Sequence, residues 1–391
     1  IFAFIIFSGR SGIWENNLSV EKQSNMESVV LNCTPSHFMR QFQTQYKNIH
    51  ENLCLIICPL GVISNIMNVI ILNQKVMRSP TNFLLTVLAI TDGFLMALYI
   101  PFALYFLKKN YLLGSPYLWA LYMMVYVIIQ NILHVISIGI IVALAAFRVL
   151  YIRCLVRCNE LCNITRAYIS VASIVLIAVL LTIPSAIAHK IRPMCMLPNS
   201  TDIQEIDPDS DLTCVNYVNY YRVNYVDNQK IRRLLFWVSA IFIKLLPVVL
   251  VTILSIIIIM AIKSRAKKMK KLKSNSKNTK GSRDNIEMKS NQPLVEKRTV
   301  KTVDKDGIRT TRMLLVIVLI FMLTYLPQAI LLSLGGILGR CFTDEVYDRL
   351  GDVLDMLTLT NSGINFVLYC LMSRQFREAF IKIFCHLPHV P

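Results

Sequence analysis

Charged and amide side chains lie inside stretches of this chain that are otherwise apolar, and these residues are the first candidates for chemistry. Asp92, Lys244, Asn361 and Asn365 all lie in such stretches. A polar group in an apolar medium is costly unless it has a partner, so each is a functional candidate by default. For Asp92, a structural carboxylate held by nearby donors is the other interpretation. For Lys244, a place in a ligand pocket and a side chain extended to the edge of its apolar run are both open.

The elements that must position these residues follow from composition. The chain has 391 residues, of which 55% are hydrophobic and only 16% are charged, and its mean hydropathy is +0.53. Apolar runs of about 20 residues are what a bilayer requires of a spanning helix. Seven such runs are present, at 52–74, 82–106, 117–150, 166–188, 234–262, 311–338 and 350–371. The predicted fold class is therefore an all-α membrane protein, a seven-transmembrane helix bundle with a short amphipathic juxtamembrane helix.

Charge predicts the orientation of this bundle. The net charge is +18, and a dense basic run lies between Lys263 and Arg312. The positive-inside rule places that loop in the cytoplasm, because basic loops stay on the cytoplasmic side. The N-terminus is then extracellular and the C-terminus is cytoplasmic. The domains expected are an extracellular N-terminus at 1–49, the bundle at 50–372, the basic third loop at 264–309, and a juxtamembrane helix with a tail at 373–391.

The segments expected outside the cell carry glycosylation triplets and cysteines, as secreted proteins do. The first residue is Ile, so Met26 is expected as the native start and residues 1–25 as not native. Acceptor triplets for glycosylation are expected to be used at Asn17, Asn32 and Asn199. Cys33, Cys195, Cys214 and Cys341 would meet an oxidising compartment, and these four cysteines allow three pairings.

The C-terminal apolar run carries the most specific motif. The stretch Asn361-Ser-Gly-Ile-Asn365-Phe-Val-Leu-Tyr369 leads directly into a short basic amphipathic segment. It resembles the end of the seventh helix of rhodopsin-like (class A) G-protein-coupled receptors, in which the pattern is Asn-Pro-x-x-Tyr, although Phe366 stands where the proline usually is. The resemblance assigns G-protein coupling and activation to Arg148, Phe321, Tyr325, Pro327 and Tyr369. Phe147 and Val149 replace the usual neighbours of the arginine, and Tyr325 replaces the usual tryptophan.

The same resemblance implies an ion site. Asp92, Ser137, Asn361 and Asn365 match the positions that form the buried sodium site of this class. One carboxylate, one hydroxyl and amide oxygens suit a hard monovalent cation, because such ions prefer oxygen ligands. The expectation is no cofactor apart from an allosteric Na⁺, with Asp92 as its charged ligand.

Further motifs narrow the resemblance to one group of receptors. Met77–Asn82, His134–Ile138, Ile243–Pro247 and Thr311–Leu315, together with the motif at 361–377, resemble invertebrate myosuppressin and FMRFamide-type neuropeptide receptors. The resemblance implies a plasma-membrane receptor for an amidated Arg-Phe-amide neuropeptide. Its expected partners are the lipid bilayer, a Gi/o heterotrimeric G protein and arrestin, with no nucleic acid.

An amidated peptide of this kind offers a cationic arginine, so its receptor needs a carboxylate. Glu345, Asp348, Asp352 and Asp355 have i, i+3, i+4 spacing and are expected to share one helix face. For Glu345, a helix start stabilised by the helix dipole is the other interpretation. The ligand-binding residues expected are Asp352, Asp355, Gln328, His134, Gln130 and Lys244.

The resemblance also bears on which cysteines form disulfides and which carry a lipid. Members of the class usually tie the second outer loop to the third helix by a disulfide, but no cysteine lies at the start of the third run. Cys195–Cys214 within the loop and Cys33–Cys341 are the pairs considered instead. Cys385 is a candidate for palmitoylation, with an unmodified thiol as the alternative.

Other classes of protein remain as rivals. A peptide-binding scaffold or decoy without coupling is consistent with the altered motif residues, and a transporter or channel would also bury Asp92 and Lys244. An enzyme is not expected, because the six histidines form no Ser-His-Asp, Cys-His or metal-ligand set in the sequence.

Overall fold

The computed structural model describes residues 37–107, 115–153, 162–196, 203–205, 216–225, 234–235, 237–280, 294–338 and 342–384. Most of them are helical. The helices are α1 (His37–Leu72), α2 (Pro80–Phe102), α3 (Tyr117–Arg153), α4 (Ile164–Ala188), α5 (Leu246–Lys280), α6 (Leu294–Leu338), α7 (Gly351–Met372) and α8 (Arg374–Phe384). π-helical turns extend α2 at Ala103–Leu107 and precede α5 and α7 at Ser239–Leu245 and Thr343–Tyr347.

Within these described ranges, six helices are long and apolar enough to cross a membrane, namely α1 to α6. The last predicted span, α7, is less apolar because its 22 residues include Asp355, Asn361 and Asn365. It nevertheless packs against α1, α2 and α6 and completes the helix bundle. Asp355, Asn361 and Asn365 are buried, so these polar residues face protein rather than lipid.

The starts of two helices follow from capping residues in the sequence. Ser79 caps α2 by accepting a hydrogen bond from the backbone N–H of Asn82 at 3.1 Å, and Pro80 occupies the first turn. Asn163 caps α4 by accepting from the backbone N–H of Arg166 at 2.8 Å. These side chains satisfy N–H groups that have no partner inside the helix.

A three-stranded antiparallel sheet lies between α4 and α5 along the chain. Its strands are β1 (His189–Met196), β2 (Ile203–Glu205) and β3 (Asn216–Tyr225), in the order β2-β1-β3. Ser115 pairs with Tyr221 of β3 through two backbone hydrogen bonds of 3.0 and 2.7 Å. This bridge holds the sheet to the segment that leads into α3.

We call the end of the bundle that carries the sheet the sheet end, and the opposite end, where α3 places Arg148, the arginine end. At the sheet end, rings of α2 and α3 form a cluster in which Phe102 stacks on Tyr126 at 4.9 Å and Tyr105 stacks on Trp119 at 3.6 Å. A larger apolar core runs from the middle of the bundle to Phe376 of α8. Through Phe376, α8 thus packs against the helix bundle.

Two boundaries differ from those expected, whereas the third run is undivided, as expected. The helix α1 begins at His37, fifteen residues before the first apolar run, because hydropathy marks only the part of a helix that lipid surrounds. The long third run is one helix of 37 residues. At the arginine end, α5 continues to Lys280 and α6 begins at Leu294, so helix occupies much of the segment at 264–309 that was expected to be loop.

Close packing of α1 on α7 depends on two glycines. Gly61 and Gly363 face each other, and the position of a Cβ on Gly61 would be 3.7 Å from the Cα of Gly363. The same Cβ would overlap the side chain of Met96, which has no exposed surface. A Cβ on Gly363 would meet Met96 at an ordinary distance of 3.4 Å. A side chain on Gly61 therefore requires the buried end of Met96 to move, whereas a side chain on Gly363 does not.

We expect Gly61→Ala to unfold at a lower temperature than Gly363→Ala. Both changes gain the same helix propensity, so the difference isolates the overlap with Met96, for which overpacking costs of about 1–3 kcal/mol are usual. The measurement is the midpoint of thermal unfolding of the purified protein in detergent. Equal midpoints for the two variants would contradict the packing described for Gly61.

Candidate functional site

The carboxylate of Asp92 lies at the centre of the first polar cluster. Asp92 is 1% exposed, and its Oδ1 accepts a hydrogen bond from Ser137 Oγ at 2.8 Å. Its Oδ2 accepts from Asn365 Nδ2 at 3.1 Å, and the Ser362 hydroxyl is also within hydrogen-bonding range. The carboxylate therefore joins α2, α3 and α7, and both of its oxygens have donors.

The cluster brings together three of the four residues expected around an ion. Asn361 is buried on α7, but it makes no hydrogen bond to Asp92 within the described structure. Ser362 contacts the carboxylate, and its backbone C=O accepts from Asn65 Nδ2 of α1 at 3.1 Å. Sequence spacing could have identified Ser362, because it precedes Asn365 by three residues and so lies on the same helix face.

The donor set fits a monovalent cation. One carboxylate with the hydroxyls of Ser137 and Ser362 gives a single negative charge and only oxygen ligands. No group of three or more His, Cys, Asp or Glu that suits a metal ion occurs among the residues the structure describes. Na⁺ at this position would supply a positive charge beside Asp92, while the hydroxyls would complete its oxygen ligands.

A second polar cluster surrounds the amine of Lys244. The side chain is 1% exposed, and its Nζ donates to Gln328 Oε1 at 2.8 Å and lies 2.8 Å from His134 Nε2. The ammonium form has no acceptor, so His134 accepts through Nε2. The amine also lies over the ring of Tyr325 at 4.9 Å, within range of a cation–π interaction. Lys244 thus points into the bundle and does not extend to the membrane surface.

Gln328 connects this amine to α7. The side chain of Gln328 has no exposed surface, and its Nε2 donates to Thr358 Oγ1 at 2.9 Å and to the backbone C=O of Leu354 at 3.2 Å. With Oε1 accepting from Lys244, both ends of the amide are used. The Lys244 cluster, namely Lys244, His134, Gln328, Tyr325 and Thr358, therefore spans α3, the turn before α5, α6 and α7.

The local backbone explains why a lysine is buried here. Lys244 lies in the π-helical segment Ser239–Leu245, which is followed by Pro247 in the first turn of α5. A proline lacks the N–H that would continue a regular α-helix, and π-turns often accompany functional positions. The wider turn carries Lys244 toward α3 and α6, whereas Phe242 and Leu245 of the same segment are exposed on the surface of the bundle.

The acidic residues of α7 lie at the sheet end. Asp355 is 7% exposed, and the hydroxyl of Tyr99 on α2 lies near its carboxylate. Asp352, one turn earlier, is partly exposed and lies close enough to Tyr46 and His50 of α1 to act on both electrostatically. His50 Nε2 is 2.9 Å from the Tyr99 hydroxyl. No pattern in the sequence indicates Tyr99 or His50, because neither is near the acids along the chain.

The single acidic face expected from Glu345 to Asp355 does not form. Residues 343–347 are π-helical and 348–350 form a turn, so the α-helical spacing that would align the four acids is interrupted before Gly351. Glu345 instead forms an ion pair with Arg349 at 3.3 Å. Asp352 and Asp355 remain three residues apart on one α-helix and are the acids that reach the sheet-end cluster.

The residues assigned to coupling occupy two levels of the bundle. Tyr325 stacks on Phe321 at 4.3 Å and contacts the ring of His134 at 5.3 Å, immediately beside Lys244. Pro327 lies on the exposed surface of α6. At the arginine end, the Arg148 guanidinium lies over the ring of Tyr151 at 5.7 Å, and the whole residue is 7% exposed.

Phe366 has a packing role at the arginine end. Its ring contacts Phe376 and Phe380 of α8 at 5.9 Å each, and Tyr369 contacts Phe376 at 5.4 Å. Arg377 donates through Nη1 to the backbone C=O groups of Cys370 and Leu371 at 2.9 and 3.0 Å. An aromatic residue in place of the usual proline therefore secures α8 against α7.

Of the remaining residues expected in sites, the structure describes some and leaves others outside its described ranges. Gln130 is partly exposed on α3, one turn nearer the sheet end than His134, with its Oε1 buried and unpaired. Cys195 lies in β1 opposite Gln204. Cys54, Cys58 and Cys370 in the helices are free thiols. The residues outside the described ranges are Asn17, Asn32, Cys33, Asn199, Cys214, Cys341 and Cys385.

Comparison with known proteins identifies the family. The model of the family described as "Serpentine type 7TM GPCR chemoreceptor Srw" matches residues 52–386. The chain is 26% identical to "G-protein coupled receptor dmsr-1" of Caenorhabditis elegans, covering 87% of this chain and 68% of that protein. It is 27% identical to "Sex peptide receptor" of Drosophila melanogaster, covering 83% and 70% respectively. A helix bundle with buried polar clusters and a family match across most of its length establish that the chain belongs to the serpentine 7TM G-protein-coupled receptor family Srw, and that it is a receptor rather than an enzyme.

Proposed function

We propose that this receptor binds an amidated peptide of the Arg-Phe-amide, myosuppressin-like type and signals through Gi/o. The observation that carries the proposal is the pair of carboxylates Asp352 and Asp355 beside the rings of α1 and α2 at the sheet end. A peptide that ends in arginine and an aromatic amide has a cation for the acids, a ring for the aromatic cluster and no C-terminal carboxylate to repel them. The name of the Drosophila relative, a sex peptide receptor, supports a peptide ligand.

This function implies a particular topology. The sheet end faces the outside of the cell and the arginine end faces the cytoplasm, with the receptor in the plasma membrane. The positive charge supports this orientation, because Arg148, Arg153, Arg374 and Arg377 lie at the arginine end, as the positive-inside rule requires of a cytoplasmic surface. The G protein and arrestin would bind this end, near Arg148 and Tyr369.

The Lys244 cluster supplies the switching element of the proposal. Hydrogen bonds from Lys244 and Gln328 hold α6 to α3, to the turn before α5 and to α7. An outward movement of α6 cannot occur with these bonds intact, so a peptide that favours their rearrangement shifts the population toward the coupling state. As in the rhodopsin-like receptors that the sequence resembles, α6 is the helix that moves, with Tyr325 in place of the usual tryptophan.

Asp355 is expected to be essential for peptide recognition. Asp355→Asn removes the negative charge and keeps the size, and a hydrogen bond to a charged group contributes about 1.5–3 kcal/mol, so peptide potency should fall roughly 10- to 100-fold. Potency is measured as Gi/o nucleotide exchange against the concentration of an Arg-Phe-amide peptide. Glu345→Gln is the matched control, since Glu345 is paired with Arg349. An unchanged potency in Asp355→Asn would refute the assignment.

Lys244 is expected to restrain the receptor in the absence of peptide. Lys244→Met keeps the length of the side chain but removes both hydrogen bonds, and a buried polar group left unsatisfied costs about 1–3 kcal/mol. Basal nucleotide exchange should therefore rise several-fold. Lys190→Met, at an exposed position of β1, is the control. Basal exchange equal to that of the unmodified receptor would show that the cluster does not oppose activation.

Sodium is expected to act through Asp92. Raising NaCl at constant ionic strength with choline chloride should weaken peptide binding in the unmodified receptor, and Asp92→Asn should remove this dependence, because it removes the only carboxylate of the cluster. The measurement is the affinity of a labelled peptide for membranes. A sodium dependence that persists in Asp92→Asn would place the ion elsewhere.

A peptide-binding scaffold or decoy that does not couple is the second candidate. The observation in its favour is the burial of Arg148 between the apolar neighbours Phe147 and Val149, which replace the usual flanking residues. Binding of an Arg-Phe-amide peptide without any nucleotide exchange on Gi/o or another G protein would favour it. Ligand-evoked current or uptake in proteoliposomes lacking G protein would instead favour a transporter or channel.

A further inference from the structure

The first helix extends well beyond the membrane at the sheet end. The 36 residues of α1 span about 54 Å at 1.5 Å per residue, whereas the hydrocarbon core of a bilayer is about 30 Å thick. The apolar run of this helix begins at residue 52, so the segment from His37 to His50 projects past the apolar part. This projection is not needed to span the membrane.

One face of the projection carries a regular series of rings. Phe38, Phe42, Tyr46 and His50 follow at intervals of four residues, so they lie above one another on one side of the helix. Phe42 stacks on Tyr46 with ring centroids 5.7 Å apart, and Tyr46 lies 6.4 Å from His50. We call these four side chains the α1 ring series.

The α1 ring series leads into the candidate binding site. His50 is fully buried and contacts Tyr99 edge to face at 6.3 Å, in addition to their hydrogen bond. Tyr99 in turn contacts Phe102, which belongs to the aromatic cluster of α2 and α3. Exposure increases outward along the series, from buried His50 through partly buried Tyr46 and Phe42 to Phe38, which is 71% exposed.

A carboxylate accompanies the inner part of the series. Asp352 acts electrostatically on both Tyr46 and His50, and α7 packs along α1. Rings flanked by an acid attract cations, because the ring faces are negative and the carboxylate adds a full charge. The chemistry of this surface therefore suits an extended segment that carries aromatic and basic side chains.

We infer that the α1 ring series binds the part of the peptide ligand that precedes its amidated Arg-Phe end, through the aromatic and basic side chains of that part. The inference rests on the proposed function, since it takes the peptide end to lie at Asp355. It assigns to α1 a contribution to affinity that grows with peptide length. The short amidated end by itself would not reach Phe38 and Phe42.

The test compares two synthetic peptides on three receptors. One is a ten-residue peptide that ends in Arg-Phe-amide and has a tyrosine and an arginine among its first six residues; the other is its C-terminal tetrapeptide amide. The receptors are the unmodified protein, the double variant Phe38→Ala/Phe42→Ala, and the control Gln41→Ala/Gln45→Ala, which alters exposed residues outside the series. Affinity is measured by displacement of a labelled tetrapeptide amide.

The ring variant should bind the ten-residue peptide roughly 10-fold more weakly than the unmodified receptor, since aromatic pairs contribute modestly and two rings are removed. Its affinity for the tetrapeptide should be unchanged, which also shows that the variant is folded. Equal weakening of both peptides, or of neither, would overturn the inference while the proposed function stands. If the unmodified receptor bound neither peptide, both the inference and the proposed function would be overturned.

Discussion

A buried amine has to find its hydrogen-bond partners inside the bundle, and the arrangement of the central helices depends on this requirement at Lys244. In the apolar interior, leaving the ammonium group unsatisfied would cost several kcal/mol or more. Its partners are His134 on α3 and Gln328 on α6, each 2.8 Å away. Gln328 can keep its orientation only because Thr358 and the backbone of Leu354 accept from its other end. One charge therefore fixes the relative positions of three helices and the turn before α5.

The Lys244 cluster and the Asp92 cluster share two helices, α3 and α7, on which their residues lie about one turn apart. On α3, His134 belongs to one cluster and Ser137 to the other. On α7, Thr358 belongs to the first, and Ser362 with Asn365 belongs to the second. Because each helix is rigid over one turn, a shift of α7 or α3 that alters one set of hydrogen bonds displaces the other. The two clusters therefore share two of their supporting helices.

Part of the fold was predictable because lipid imposes a simple condition on sequence. Apolar runs of the required length located α1 to α7. The start of α1 at His37 was not predictable from hydropathy, since residues 37–50 are amphipathic and lie outside the apolar run. The prediction that Glu345 and Asp348 share a face with Asp355 was wrong, because a π-helical turn changes the angle between successive residues.

The candidate site, like the fold, was predictable from the sequence only in part. The sequence by itself determined which polar residues lie within membrane-spanning helices and that Asp92, Lys244 and Asp355 are too costly to be incidental, because the cost of burial depends on residue type and surroundings. Only the tertiary structure decided their partners. Lys244 pairs with residues 110 and 84 positions away, and Asp92 with one 273 positions away. Such distances along the chain leave no periodic signal, so the choice between a lysine at the membrane surface and one that joins the helices rests on packing.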